Sequence, residues 1–136
     1  MAKQVYQIEA VKPGTVLTTG TSVQGDYIDI GAAESNFSLI LEDSGASGAS
    51  LTVIYTIGYK VSGKDTVSTL TKDDNLQEIT PDDGGTISDF TTIDLSSNVR
   101  KHTVVTLAVA RWYRFKITNN DGANSSTVSL KVIFQK

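Results

Sequence analysis

From Leu51 to Val61 the chain alternates residue by residue. Leu51, Val53, Tyr55, Ile57, Tyr59 and Val61 share one side, while Thr52, Thr56, Gly58 and Lys60 hold most of the other. A period of two marks a strand with one face in a core and one in water, and it does not suit an amphipathic helix. Phe37, Leu39 and Leu41 alternate with Ser38, Ile40 and Glu42 in the same way, and a loop of small turn formers, Gly45-Ala-Ser-Gly-Ala-Ser50, separates the two runs. Together they read as a hairpin. The closing stretch repeats the arrangement: Tyr113, Phe115 and Ile117, then Asn119-Asn-Asp-Gly-Ala-Asn-Ser125, then Val128, Leu130, Val132 and Phe134. The shared loop character is what two equivalent corners of a sandwich would show.

Composition supports the same class. Val, Ile and Thr make up 41 of the 136 residues, against 9 Ala, 9 Leu and 4 Glu, a bias toward pleated sheet. Weaker strand candidates are Val5 to Val11, Val23 to Ile30, Leu76 to Thr80, Ile87 to Leu95 and Thr103 to Val109. The expectation is an all-β fold, a single antiparallel β-sandwich or jelly roll of about eight strands, with a long loop region around residues 63–94. Ser96 to Lys101 is the best short helix candidate. Both prolines, Pro13 and Pro81, fall in turn-like settings. Residues 1–19 read as an N-terminal arm or a plain first strand, and residues 20–136 as the sandwich domain.

The absence of cysteine excludes disulfides, zinc-thiolate clusters and catalytic thiols, and one histidine excludes a multi-histidine metal site. His102 lacks a Gly-x-Ser-x-Gly elbow or another nucleophile setting, so it reads as an ordinary strand histidine. Asp73-Asp74-Asn75, Asp82-Asp83 and Asn119-Asn120-Asp121 offer oxygen ligands. None has the spacing that wraps a chain around calcium, and such clusters suit turns. No cofactor is expected. The net charge of −3 gives no global attraction to nucleic acid or to an anionic membrane. It is unevenly spread: residues 64–94 carry 2 bases and 8 acids, residues 95–136 carry 7 bases and Asp121 alone. The N-terminal stretch carries no export signal and no later segment is apolar enough to span a bilayer, so synthesis in a cytoplasm is expected.

Alternation sends Tyr113 and Phe115 inward and Trp112, Arg114 and Lys116 outward. The outward set either covers a neighbouring loop or forms a binding or subunit contact, since exposed Trp and Arg favour interface centres. Val5, Tyr6 and Ile8 of the N-terminal segment, with Ala10, Val11, Val16 and Leu17 after them, could add to the sheet edge of a partner or a neighbouring subunit.

Several stretches in order carry a family likeness: Tyr27-Ile-Asp-Ile-Gly31, Phe37-Ser-Leu-Ile-Leu41, Leu51-Thr-Val-Ile-Tyr-Thr-Ile57, Ala110-Arg-Trp-Tyr-Arg-Phe-Lys-Ile-Thr-Asn119 and Thr127-Val-Ser-Leu-Lys-Val132. This series of strands and turns resembles the small β-sandwich structural proteins of tailed bacteriophages, in particular capsid decoration or cement proteins. The resemblance implies a non-enzymatic virion protein, commonly a homotrimer, that binds the major capsid protein on the outside of the head and bridges capsomers. The strand around Trp112 also resembles the closing strand of discoidin-type, galactose-binding-like domains. That likeness implies binding of sugars or lipids through loop residues, and hence an alternative, a carbohydrate-binding module, such as one on a phage fibre, that would use Trp112 and the long loops.

Overall fold

The computed structural model describes residues 4–30, 36–44, 50–60, 76–79, 86–87, 91–94, 99–106 and 112–135. They form eleven strands: β1 (Val5–Leu17), β2 (Ser22–Gln24), β3 (Ile28–Asp29), β4 (Asn36–Ser44), β5 (Leu51–Lys60), β6 (Leu76–Ile79), β7 (Thr86–Ile87), β8 (Thr91–Asp94), β9 (Val99–Thr106), β10 (Trp112–Asn119) and β11 (Ser126–Gln135). One sheet runs in the order β1-β11-β4-β9-β8. The other runs β2-β10-β5-β6, with β3 also on β10 and β7 on β5. Every pairing is antiparallel.

The pairs nest. β1 joins β11, β2 and β3 join β10, β4 joins β9, and β5 joins β6 and β7, alternately in the first and second sheet. A long hairpin of strand pairs rolled so that successive pairs fall in opposite sheets is a jelly roll, which refines the sandwich expected from the alternation. The same topology corrects the two expected hairpins. β4 and β5 lie in different sheets, as do β10 and β11, so neither pair is a hairpin. A period of two says which side chains face the core but not which strand is the neighbour.

The facing rows meet as the alternation requires. Phe37, Leu39 and Leu41 of β4, Val128, Leu130, Val132 and Phe134 of β11, Val53 and Tyr55 of β5, and Tyr113, Phe115 and Ile117 of β10 belong to one buried cluster. Phe37 bridges the sheets edge-on to Tyr113 at 5.3 Å and to Phe115 at 6.1 Å between ring centroids, the geometry that aromatic quadrupoles favour. At one end Tyr6 stacks on Phe134 at 5.5 Å.

The first strand is longer than expected and irregular. It pairs with β11 in unbroken register from Val5 to Glu9, then shifts between Glu9 and Val11 and again between Val11 and Thr15. Pro13 and Gly14 fall in the second shift, where Gly14 adopts φ 83° and the Thr15 hydroxyl donates to the Lys12 carbonyl at 2.7 Å. A strand at a sheet edge tolerates both the missing proline donor and the left-handed glycine. Residues 99–101 of the expected helix at Ser96 to Lys101 belong to β9, where Leu41↔Lys101 and Glu42↔Arg100 face each other across the ladder. Six residues are too few for a helix to outweigh a β-rich run beside a long partner strand. His102 sits inside β9 between Ile40 and Thr91 in the register.

The β10–β11 corner is pinned by a buried polar side chain. Asn119 has no exposed surface, and its Nδ2 donates to the Leu17 carbonyl at 3.1 Å and to the Asn124 carbonyl at 3.0 Å. Its Oδ1 accepts the Asp121 amide at 2.9 Å. Its backbone N–H donates to Thr21 and its carbonyl accepts from Gly20, each at 2.9 Å. One amide thus ties the end of β1, the turn before β2 and the corner itself, with every group satisfied. Asp121 caps the turn beyond, as its carboxylate accepts the Ala123 and Asn124 amides at 2.8 and 2.9 Å. Those bonds, Ala123 first and Asn124 next, hold the Asp121 carboxyl below its ordinary range.

A lowered pKa in the folded chain means a contribution that is present above the unfolded value and lost as pH falls through the folded one. Urea unfolding of Asp121→Asn between neutral pH and about pH 2 should therefore show a shallower loss of stability below about pH 4 than the parent shows. Parallel curves for the two proteins would mean that the turn does not hold the carboxylate.

Candidate functional site

The sequence-expected contact residues fall in two places. Val5, Tyr6 and Ile8 lie on β1, the outermost strand of its sheet. Val5 is 63% exposed and faces outward opposite Gln135, whereas Tyr6 and Ile8 sit opposite core residues Phe134 and Val132. Val16, further along the same strand, is 61% exposed. With Tyr6 at 36%, these are the large apolar side chains left open to solvent among the described residues, and all three belong to β1.

Trp112, Arg114 and Lys116 do lie on the face of β10 opposite the core, where they pair with Gly58, Thr56 and Ile54. The expectation of an exposed tryptophan is overturned, because Trp112 is only 3% exposed. Tyr27, from the link between β2 and β3, lies over this face: a methyl group added to Gly58 would come within 2.7 Å of its ring. The Arg114 guanidinium sits over the Tyr27 ring, 4.9 Å from the centroid, a cation–π contact. The absent side chain of Gly58 therefore makes room for Tyr27, and the indole opposite Gly58 is buried instead of presented. A ring so buried offers no face for a sugar or a base to stack on.

A site that the sequence reading missed lies beside β1. Val23 to Ile30, read as one weak strand, is split into β2 and β3 by Gly25-Asp26-Tyr27. The Gly25 N–H donates to the Phe115 carbonyl at 3.0 Å, and a methyl group there would overlap the Ala10 carbonyl oxygen. The backbones of β1 and the β2–β3 segment thus touch at this point and diverge around it. They leave a groove of about 370 Å³ lined by residues 8–12, Thr15 and residues 23–28. Ile8, Val11, Val23 and Ile28 give it apolar surface, and the exposed Glu9, Lys12, Gln24 and Asp26 stand along it. A glycine inside an otherwise strand-like run was the available signal of close backbone approach.

A second polar feature is internal. The Ser126 hydroxyl donates to the Asp43 carboxylate, and both residues are 1% exposed, which links β11 to β4 where their apolar rows end. Among the described residues no three His, Asp or Glu side chains gather as a metal-binding group. Asn119 and Asp121 of one oxygen-ligand cluster serve the turn, while Asp73, Asp74, Asn75, Asp82 and Asp83 lie outside the described residues, as do Arg111 and most of the acidic stretch 64–94. No helix among the described residues is long and apolar enough to cross a membrane.

The described architecture is that of a β-sandwich protein whose open surface features are an apolar strand edge and a shallow groove. No protein-family model matches the sequence, and no curated protein is detectably similar to it.

Proposed function

We propose that this chain is a non-enzymatic virion structural protein, a decoration or cement protein that adheres to the outside of an assembled phage head and bridges capsomers through the major capsid protein. The observation that carries the reading is that, among the described residues, the exposed large apolar side chains Val5, Tyr6 and Val16 all fall on a single edge strand. Apolar side chains beside unpaired main-chain groups are what strand addition to another protein uses. Jelly rolls also recur in viral coat proteins and in lectins, a support by analogy of fold alone. The phage resemblance of the strand series favours the first of these. On this reading no cofactor, nucleic acid or membrane takes part. Affinity comes from several copies of a shallow contact, most simply in a homotrimer.

Co-sedimentation with purified phage heads tests it. The parent protein should pellet with heads, and Val5→Asp/Val16→Asp should weaken binding by roughly thirtyfold, since both valines lose apolar burial of about 1 kcal/mol each. Light scattering should give a trimer. A monomer that leaves heads undecorated at micromolar concentration would remove the proposal.

A further inference from the structure

The groove beside β1 fits a particular kind of occupant. Its two walls touch at Gly25 and Ala10, and the chain neighbours of those residues, Asp26 and Glu9, both line the groove. Neither carboxylate, nor Gln24 or Lys12, makes a side-chain hydrogen bond or ion pair with another described residue. The groove therefore combines an apolar lining from Ile8, Val11, Val23 and Ile28 with two unpaired acids, one amide and one ammonium. An apolar recess with a few polar groups is the usual form of a binding site, and 370 Å³ lies at the small end of such sites.

The strand beside it adds a second recognition element. β1 is outermost in its sheet, and its register with β11 is regular only from Val5 to Glu9. An added strand can follow that regular stretch; beyond it the shifts around Val11 to Thr15 and the missing Pro13 donor interrupt pairing. About five residues is the length available. Side chains of an added strand alternate, so one set would lie toward the groove while the other stays in solvent. Main-chain recognition and an acid-lined recess together suit a peptide. A glycan is less well served, because Trp112 is buried and the ring of Tyr27 already carries Arg114.

We infer that this groove and the adjoining edge of β1 take a short extended peptide segment of the protein partner, with a lysine or arginine set against Glu9 and Asp26. The inference rests on the reading of the chain as an adhesive protein and names the chemistry of its contact. Lys12 makes the groove directional, since a basic residue opposite it is repelled while one opposite Glu9 is attracted.

The test is a nitrogen-15 amide titration with two peptides, acetyl-Val-Lys-Val-Lys-Val-amide and its counterpart with glutamate in place of lysine. The lysine peptide should shift amides in Val5 to Thr15 and Val23 to Ile28, and bind about fivefold more tightly than the glutamate peptide, the size of effect expected from exposed charge pairs. Glu9→Gln/Asp26→Asn should erase that preference and leave the rest of the spectrum in place, because both side chains are exposed and unpaired. Equal affinity for the two peptides, no shifts, or shifts confined to other strands would each overturn the inference. So would shifts at the same amides produced by free galactose or mannose and not by the lysine peptide. Phage heads separate the two levels. If Glu9→Gln/Asp26→Asn still decorates heads as the parent does, the groove inference falls and the function stands.

Discussion

Gly25→Ala should lower the stability of this protein by about 3 kcal/mol, the upper part of the range for overpacking a close-fitted position. The added methyl would overlap the Ala10 carbonyl oxygen, a backbone atom that cannot rotate away, at the point where Gly25 also donates to Phe115. Relief requires β1 to shift from β11 or the β2–β3 segment to lift from β10, and either movement opens the sandwich along the groove. For a chain of this size the loss corresponds to a fall in Tm of roughly 10 °C. Gly122→Ala is the control, since nothing lies within 4 Å of a methyl group at that position. A Gly25→Ala protein that melts with the parent would mean that the two sheets do not close against each other there.

Replacement of Asn119 by alanine should cost about as much, for a different reason. The amide makes three side-chain hydrogen bonds, and each is worth roughly 1 kcal/mol net, more when a buried partner is left unsatisfied. The Leu17 carbonyl is the partner at greatest risk, because its bond to Asn119 is fully buried. The variant should therefore lose about 3 kcal/mol in urea unfolding and fray first where β1 ends and β10 turns into β11. Asn119→Asp separates the contributions: a carboxylate still accepts the Asp121 amide but can donate to neither carbonyl. If Asn119→Asp proves as stable as the parent, donation to Leu17 and Asn124 does not hold the corner.

These two residues show how differently the fold was written in the sequence. The inward rows of β4, β5, β10 and β11 were legible, because alternation of Phe, Leu, Val, Ile and Tyr with polar residues is imposed locally by the pleat. The partners of those rows were not legible. The loops Gly45 to Ser50 and Asn119 to Ser125 suit a hairpin and a corner equally well, and the choice depends on where the strands of the other sheet lie. The outward direction of Trp112 was readable by the same rule. Its burial was not, since burial depends on what packs over that face in the assembled fold, where Tyr27, 85 positions earlier in the chain, occupies the space left by the neighbouring Gly58.

The candidate contact surface divides in the same way. Val5, Tyr6 and Ile8 could be singled out from an apolar segment near the start of the chain. That β1 would be an edge strand, with Val16 exposed and Ala10, Val11 and Leu17 buried, was not visible, because edge or centre is a property of the assembled sheet.

By itself the sequence determined an all-β chain, which residues face its core, and the absence of thiol and multi-histidine chemistry, all of which follow from residue type and a period of two. Tertiary structure alone decided the jelly-roll order, the covering of Trp112, the buried bonds of Asn119 and the groove between Glu9 and Asp26. Each of these depends on contacts between residues distant in the chain, and such contacts leave no periodic trace in it.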